Sequence, residues 1–311
     1  MKKQILGIHH VTAIAGDPQK NLDFYSGVLG LRLVKLTVNF DDPGTYHLYY
    51  GDGAGHPGTI ITFFPWASAP RGRYGNGLVT ETAFAIPEQA LDFWTARFTE
   101  RNVAFESSER FGEKLISVTD PDGLKIELIA TATAPDDRAW QSGPVPLEFA
   151  IRGFHSATLS EADHRATATL LTDTMGFKLV AEDANRFRYA VDSGQPANLV
   201  DIVRAPEQRQ GRVLVGTVHH IAWRTPDDAQ QLEWLGELSR LEYGVSPVMD
   251  RKYFHSIYYR EPGNILFEIA TDPPGFAVDE AAETLGSHLV LPSWLESDRP
   301  RLETVLPRLR L

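Results

Sequence analysis

The chain contains no cysteine among its 311 residues. This absence excludes disulfide bonds, thiolate metal ligands and a cysteine nucleophile, and it is typical of proteins from a reducing compartment. No apolar run reaches the ~18 residues that a membrane-spanning helix needs. The amino terminus, MKKQILGIHH, also lacks the apolar core of a signal peptide. We therefore expect a cytoplasmic protein with no membrane partner.

Positive charge is scarce as well. The formal net charge is −11, and no basic run is interleaved with aromatic residues. This pattern argues against nucleic acid as a partner. With 42% hydrophobic and 23% charged residues, the composition is that of an ordinary globular protein. The length allows two domains or one large one, and a homo-oligomer stays open.

One pattern occurs four times along the chain. Residues 7–65 resemble residues 152–204, and residues 77–130 resemble residues 216–271. In each stretch an alternating strand is followed by an amphipathic helix and then by three strands. We therefore predict an α+β fold made of four βαβββ modules, numbered here one to four in chain order.

Glycines predict where two of the helices end. The segments NLDFYSGVLGLRLV (21–34) and TATLLTDTMGFKLV (167–180) read as helices that run into Gly30 and Gly176 before a strand begins. Glycine is favoured at this point because the residue after a helix commonly adopts a left-handed conformation. Modules one and three are therefore expected to share the same helix end.

The modules group into two predicted domains of two modules each. The first domain covers residues 1–135, a Pro-rich linker covers 136–149, and the second domain covers 150–275. Residues 276–311 form a predicted tail, in which LETVLPRLRL (302–311) reads as a short terminal helix.

A pair of adjacent histidines occurs in two similar strands, GIHHVTAI (7–14) and TVHHIAWRT (217–225). Because side chains alternate between the two faces of a strand, His10 and His220 point to the concave side if the bulky faces pack on the helices. Glu268 in NILFEIA points away from the helices too, and a carboxylate among apolar residues is costly unless paired or bound to a cation. Three such residues at matching module positions favour a metal site.

The repeats leave the ligand set open. If module three pairs with module four, the set is His155, His220 and Glu268. If module one pairs with module four, His10 replaces His155. Either set has two histidines and one carboxylate, which leaves open positions and suits non-haem Fe(II), whereas the complementary sets have one histidine and two acids. Aligning the modules gives three equivalences: His155 with His10, Glu81 with His220, and Glu127 with Glu268.

These motifs resemble the vicinal oxygen chelate superfamily, the glyoxalase/bleomycin-resistance/extradiol dioxygenase fold, and more narrowly ring-cleaving dioxygenases related to hydroquinone 1,2-dioxygenases. The resemblance implies that the modules pair into two open barrels. It also implies His10, His220 and Glu268 as ligands of Fe²⁺, with Mn²⁺ as the alternative, and no metal role for His155. The stretches that carry it are residues 7–52, RGFHS (152–156), VHHIAW (218–223), YYREPGNILFEIATDPPGF (258–276) and LGSHLVLPSWLE (285–296).

The same resemblance implies an enzyme that cleaves a small hydroquinone-type or catechol-type aromatic ring with O₂ as co-substrate. Tyr258, ten residues before the carboxylate ligand, is expected to hydrogen-bond the substrate or oxygen, and Arg251 to hold a substrate oxyanion. His9 and His219 are expected to support the ligands or to move protons, although strand alternation turns them the other way. Thr12 shares the ligand face of its strand and is expected to offer a hydroxyl.

Two other functions fit the same fold. A glyoxalase-like lyase or isomerase would use a different divalent metal and no oxygen, and such sites usually carry two carboxylates. A metal-free small-molecule binding protein of the drug-resistance kind would need no convergent triad.

Overall fold

The computed structural model describes residues 3–132, 138–194 and 196–311. In these residues four βαβββ modules follow one another, which confirms the predicted module order. The strands are β1 Ile8–Ala15, β2 Arg32–Asn39, β3 Asp42–Gly51, β4 Ile60–Pro65, β5 Leu78–Pro87, β6 Phe105–Arg110, β7 Glu113–Thr119, β8 Lys125–Thr131, β9 Phe154–Glu161, β10 Phe177–Asp183, β11 Arg186–Val191, β12 Leu199–Arg204, β13 Thr217–Thr225, β14 Met249–Asp250, β15 His255–Arg260 and β16 Leu266–Thr271. The α-helices are α1 Pro18–Leu22, α2 Leu91–Glu100, α3 Arg165–Thr169, α4 Asp228–Arg240 and α5 Arg299–Val305.

The helices of modules one and three are short and end in a wider turn. α1 continues as a π-helical segment, Asp23–Val28, and α3 continues as Leu170–Thr174. α1 begins before the predicted position 21, because the side chain of Asp17 accepts hydrogen bonds from the first backbone N–H groups of the helix. Gly30 and Gly176 follow with φ of 73° and 84°, the left-handed conformation that the sequence predicts at both positions.

The strands form two open, curled half-barrel sheets of eight strands each. The first sheet has the order β14-β15-β16-β13-β1-β4-β3-β2, so it joins modules four and one through the antiparallel pair β1–β13. The second has the order β10-β11-β12-β9-β5-β8-β7-β6, and it joins modules three and two through β9–β5. Of the two pairings that the sequence left open, module one with module four is the one observed.

Each sheet therefore takes one module from each half of the chain. The predicted domains, 1–135 and 150–275, are each divided between both sheets, since β1 lies beside β13 and β5 beside β9. Residues 133–137, where the first predicted domain meets the linker, lie outside the described residues.

Helices and bulky strand residues pack together on the outer face of the first sheet. Trp234 of α4 is buried in one apolar core with Trp223 of β13 and Phe267 of β16. Because neighbours along a strand point to opposite faces, this packing turns His220 and Glu268 to the concave face.

The tail packs against β2, the edge strand of the first sheet, where Leu289 forms a parallel bridge with Leu36. The buried Lys35 Nζ of β2 lies 2.7 Å from Asp279 Oδ1 and also contacts Glu280. The terminal helix was predicted too late in the chain: it is Arg299–Val305, and it ends there because Pro307 cannot continue it. No helix in the described part of the chain is long and apolar enough to cross a membrane.

Candidate metal centre

Two histidines and one glutamate converge on the concave face of the first sheet. Glu268 Oε2 lies 3.0 Å from His220 Nε2 and 3.3 Å from His10 Nε2, and the two Nε2 atoms are 3.3 Å apart. All three side chains are buried. Within the described residues, this is the one group of three or more His, Asp or Glu side chains whose donor atoms are close enough to share a metal ion.

The donor set fits a cation better than it fits the bare side chains. Glu268 is fully buried, yet its Oε2 accepts no well-aligned hydrogen bond, which is costly for a carboxylate oxygen. Burial by itself raises the pKa of Glu268, but the rings of His10 and His220 hold it well below its usual value. The group is therefore ionised, and the triad offers two imidazole nitrogens and one charged oxygen.

The first histidine of each doublet contacts the second. The distance between the Nδ1 atoms is 2.9 Å for His9 and His10, and 2.8 Å for His219 and His220. Strand alternation predicts that the rings of His9 and His219 point away from the ligand face. Because Nδ1 is the ring nitrogen nearest the backbone, the Nδ1 atoms of adjacent histidines are nevertheless in contact.

These contacts determine where the ring protons would lie. If Nε2 of His10 or His220 binds a metal, the Nδ1 atom of that ring keeps its proton and donates a hydrogen bond to Nδ1 of the neighbouring histidine. Burial lowers the pKa of His9 well below its usual value, and burial with the adjacent His220 lowers that of His219 to about 3. Both first histidines are therefore neutral and can accept through Nδ1.

Ser256 supports the carboxylate and was missed by the sequence reasoning. Its Oγ donates a hydrogen bond to Glu268 Oε1, so the other carboxylate oxygen is the one that faces the histidines. The available signal was the alternation in HSIYYR, which turns Ser256 and Tyr258 to the same face of β15.

His47 of β3 also lines the site and was left out of the predicted set. Its Nδ1 lies 2.8 Å from the hydroxyl of Tyr49, and its Nε2 lies 2.7 Å from Thr62 Oγ1. Thr62 Oγ1 is in turn 3.0 Å from Thr12 Oγ1. The predicted Thr12 thus begins a chain of hydrogen bonds that reaches His47, whose pKa is held well below its usual value by burial.

Tyr258 and Arg251 lie together on the wall contributed by module four. Arg251 Nε is 3.2 Å from the Tyr258 hydroxyl, and the Tyr258 ring meets the His220 ring edge-on with 5.7 Å between centroids. Burial and the Glu268 carboxylate raise the pKa of Tyr258, which keeps the phenol protonated. The phenol is therefore available as a hydrogen-bond donor beside the triad.

A cavity of about 330 Å³ opens over the triad. This volume is at the lower end of the range for small-molecule sites, which suits a single aromatic ring. His47, His219, Arg251 and Tyr258 supply polar groups to its wall, whereas the predicted His9 and Thr12 do not line it. Its apolar wall consists of Phe40, Phe64, Trp66, Phe254 and Leu266.

His155 lies in the other sheet, and its alignment with His10 was wrong by one residue. In the first sheet Thr12 is paired with His220, and in the second Thr158 is paired with Glu81. The residue two positions before Thr158 is Ser156, so His155 matches His9 instead. Its Nε2 lies 2.9 Å from Glu113 Oε1.

The strand register agrees with the other two predicted equivalences, Glu81 with His220 and Glu127 with Glu268. In the second sheet, however, these acidic side chains contact arginines. Arg110 makes two hydrogen bonds of 2.6 and 2.8 Å to Glu127, and Arg186 makes one of 2.8 Å to Glu81. The complementary acidic set is thus neutralised by guanidinium groups.

Comparisons with known proteins find relatives that match nearly the whole chain. The curated protein "Putative ring-cleaving dioxygenase MhqO" of Bacillus subtilis (strain 168) is 50% identical over 303 residues, covering 97% of this chain and 96% of its own. "Chlorohydroquinone/hydroquinone 1,2-dioxygenase" of Sphingobium indicum is 34% identical over 311 residues, covering 97% and 96%. A solved structure described as "putative dioxygenase" from Bacillus subtilis subsp. subtilis str. 168 is 49% identical, with a TM-score of 0.95 over 99% of this chain and 98% of its own.

A family model matches the chain twice, at residues 7–128 and 153–278. Each match spans two modules, in agreement with the fourfold repeat. The resemblance inferred from the motifs is thereby confirmed: the chain belongs to the Glyoxalase/Bleomycin resistance protein/Dioxygenase superfamily.

Proposed function

We propose that this protein is an Fe²⁺-dependent dioxygenase that cleaves the ring of a hydroquinone-type or catechol-type aromatic with O₂. The observation that carries the proposal is the convergence of His10, His220 and Glu268 beneath an aromatic-walled cavity. Relatives named as ring-cleaving dioxygenases support the reaction class.

The triad would hold the metal through His10 Nε2, His220 Nε2 and Glu268 Oε2. When bound, Fe²⁺ would supply redox chemistry and open coordination positions, and Mn²⁺ is the alternative ion. His9 and His219 would fix the two ligand rings by accepting hydrogen bonds from their Nδ1–H groups.

The remaining residues would bind the ring and manage its protons. The apolar wall packs against the ring faces, while Arg251 and Tyr258 stabilise an oxyanion on a ring hydroxyl. His47 is neutral and its two ring nitrogens contact the hydroxyls of Tyr49 and Thr62, so it can relay a proton between these two hydroxyls. Tyr49 also lines the cavity and would pass that proton to or from a ring hydroxyl.

Neither rival function has an observation of its own in its favour. A lyase or isomerase site with two carboxylates would need Glu81 and Glu127, which arginines neutralise. A metal-free binding protein would leave the buried Glu268 Oε2 without a well-aligned hydrogen bond. A cytoplasmic location and a homo-oligomer stay predictions.

Anaerobic loading with Fe²⁺, followed by oxygen-uptake measurements on a panel of hydroquinones and catechols, tests the proposal. We expect one iron per chain and oxygen uptake with at least one of these compounds, and none with a hemithioacetal. His10→Ala should lose both iron and activity, and His155→Ala should keep both. Loss of iron from the His155 variant alone would refute this ligand set, and hemithioacetal turnover without oxygen would favour the lyase.

A further inference from the structure

The mouth of the cavity is bridged by an ion pair between two modules. Arg251 Nη1 lies 3.0 Å from Asp41 Oδ2, which is at the tip of the β2–β3 hairpin of module one. Arg251 belongs to a tight turn in which its N–H bonds Phe254 O and its C=O accepts from the N–H of Tyr253. The arginine is therefore held by module four, while its counter-ion comes from module one.

This pair determines the charge of the cavity wall. Among the described residues that line the cavity, Arg251 is the one lysine or arginine and Asp41 the one aspartate or glutamate. The two opposite charges lie 3.0 Å apart and cancel each other, so this pair adds no net charge to the wall above the triad.

We infer that Asp41 is a specificity-determining residue that cancels the charge of Arg251 and so restricts the cavity to aromatic rings without a carboxylate substituent. The inference rests on the proposed function and deepens it by naming the substrate class. A divalent cation with Glu268 leaves one positive charge, which a singly deprotonated dihydroxybenzene balances. A ring carboxylate would add a second negative charge, and the guanidinium that could pair with it is already paired.

The position of Asp41 explains why it can have this effect without being part of the core. Its side chain is 63% exposed, whereas that of Arg251 is 18% exposed. Removing the aspartate charge therefore leaves the fold intact but frees a largely buried guanidinium, which favours a carboxylate partner through paired, charge-assisted hydrogen bonds.

Binding and turnover of hydroquinone and 2,5-dihydroxybenzoate test the inference. Dissociation constants are measured by anaerobic calorimetry on the metal-loaded protein, and kcat/KM by oxygen uptake. Asp41→Asn should improve binding and kcat/KM for 2,5-dihydroxybenzoate relative to hydroquinone by about two- to fivefold, as expected for a partly exposed ion pair. Asp41→Ser, which removes the charge with a different side chain, should do the same.

Asp42→Asn is the matched control. Asp42 is the next residue of the same hairpin, is exposed, and accepts a hydrogen bond from Thr45 Oγ1 at 2.9 Å. It should leave the selectivity unchanged. Adding Arg251→Gln to Asp41→Asn should return the relative affinity to the wild-type value, because the effect passes through the guanidinium.

The outcomes separate this inference from the proposed function. Equal selectivity in wild type and both Asp41 variants, or an equal shift in the Asp42 control, would overturn the role of Asp41 even if hydroquinone is cleaved. Tight binding of 2,5-dihydroxybenzoate by the wild type would overturn it as well. If no ring is cleaved but the binding selectivity shifts as expected, the charge argument holds and the dioxygenase assignment fails.

Discussion

The two sheets of this protein place different groups at the same position in one architecture. At the centre of the first sheet, His220 and Glu268 turn their ligand atoms towards each other and towards His10. At the centre of the second sheet, Glu81 and Glu127 occupy the register positions of His220 and Glu268. Arg110 Nη2 lies 3.7 Å from Glu81 Oε2 and 2.6 Å from Glu127 Oε1.

Both sheets thus bury acidic groups that need a positive charge, but they obtain it differently. The second sheet supplies guanidinium groups from its own strands, and Asp201 joins the network through Arg186 and Arg188. In the first sheet the carboxylate of Glu268 faces His10 and His220 instead, the residues that we propose as ligands of a metal ion. One fold therefore yields a structural centre in one sheet and a candidate reactive centre in the other.

Removing the carboxylate of the first centre should have the largest effect. Glu268→Gln keeps the shape but removes the charged oxygen, so we expect loss of the metal and a fall in kcat/KM of about 10³-fold or more. Metal analysis of the purified variant and oxygen uptake measure both effects. Retention of stoichiometric iron would contradict the ligand assignment.

The equivalent change in the second sheet should act on stability instead. Glu127→Gln leaves Arg110, whose side chain is 15% exposed, with a weakened partner. Breaking such a pair should lower the free energy of unfolding by about 2–3 kcal/mol, discounted because Glu81 and some water remain near the guanidinium. Chemical denaturation measures this loss, and metal content should not change. Loss of iron here would show that the two centres are not independent.

The module repeat could be predicted from the sequence because it is a local property. Alternation in each strand and the glycines after α1 and α3 are encoded within ~15 residues. The pairing of β1 with β13 could not be predicted in this way, since both candidate partners of module four present similar strands. That pairing depends on packing between distant segments.

The sequence predicted the site residue that places a charge in an apolar strand, but it did not predict the polar residues without such a signal. Glu268 was identified because a carboxylate in an apolar strand requires a partner. His47 was left out of the predicted site because the sequence showed no more than its place on a probable strand, and its partner Thr62 comes from the neighbouring strand. His155 was misaligned because GFHS holds a single histidine, which can match either histidine of the doublet. Only the strand register shows that it matches His9 and not His10.

A pair of buried carboxyl groups lies where the sheets meet, and it makes stability depend on pH. Glu161 ends β9, and Glu261 follows β15; a side chain on Gly263 would clash with both. Burial, together with the neighbouring Glu261, raises the pKa of Glu161 to about 8, against about 4.3 in the unfolded chain. The folded state therefore favours the protonated acid, and stability present below about pH 4.3 should fall progressively as the pH rises towards 8.

Glu161→Gln should remove most of this dependence, because the amide cannot ionise. At pH 8 the variant should be more stable than the wild type by about 2 kcal/mol, and the difference should shrink towards pH 5. Denaturation midpoints across this range measure it, with the exposed Glu182→Gln as the control. A variant less stable than the wild type at pH 8 would show that Glu161 is ionised in the fold.

The smallest expected effect concerns the hydroxyl that joins Thr12 to His47. Thr62 stands where the second sheet has Asp201, since each is paired with the threonine of the central strand. A charged group is needed there only when arginines are present, so a neutral hydroxyl suffices in the first sheet.

Thr62→Val keeps the shape of the side chain and removes one hydrogen bond to Thr12 and one to His47, which should lower the free energy of unfolding by about 1 kcal/mol. It should also lower kcat several-fold with little change in metal content, and Thr82→Val, a buried hydroxyl of the second sheet with no hydrogen-bond partner, should leave kcat unchanged. Equal kcat values for both variants would mean that the link to His47 has no part in the reaction.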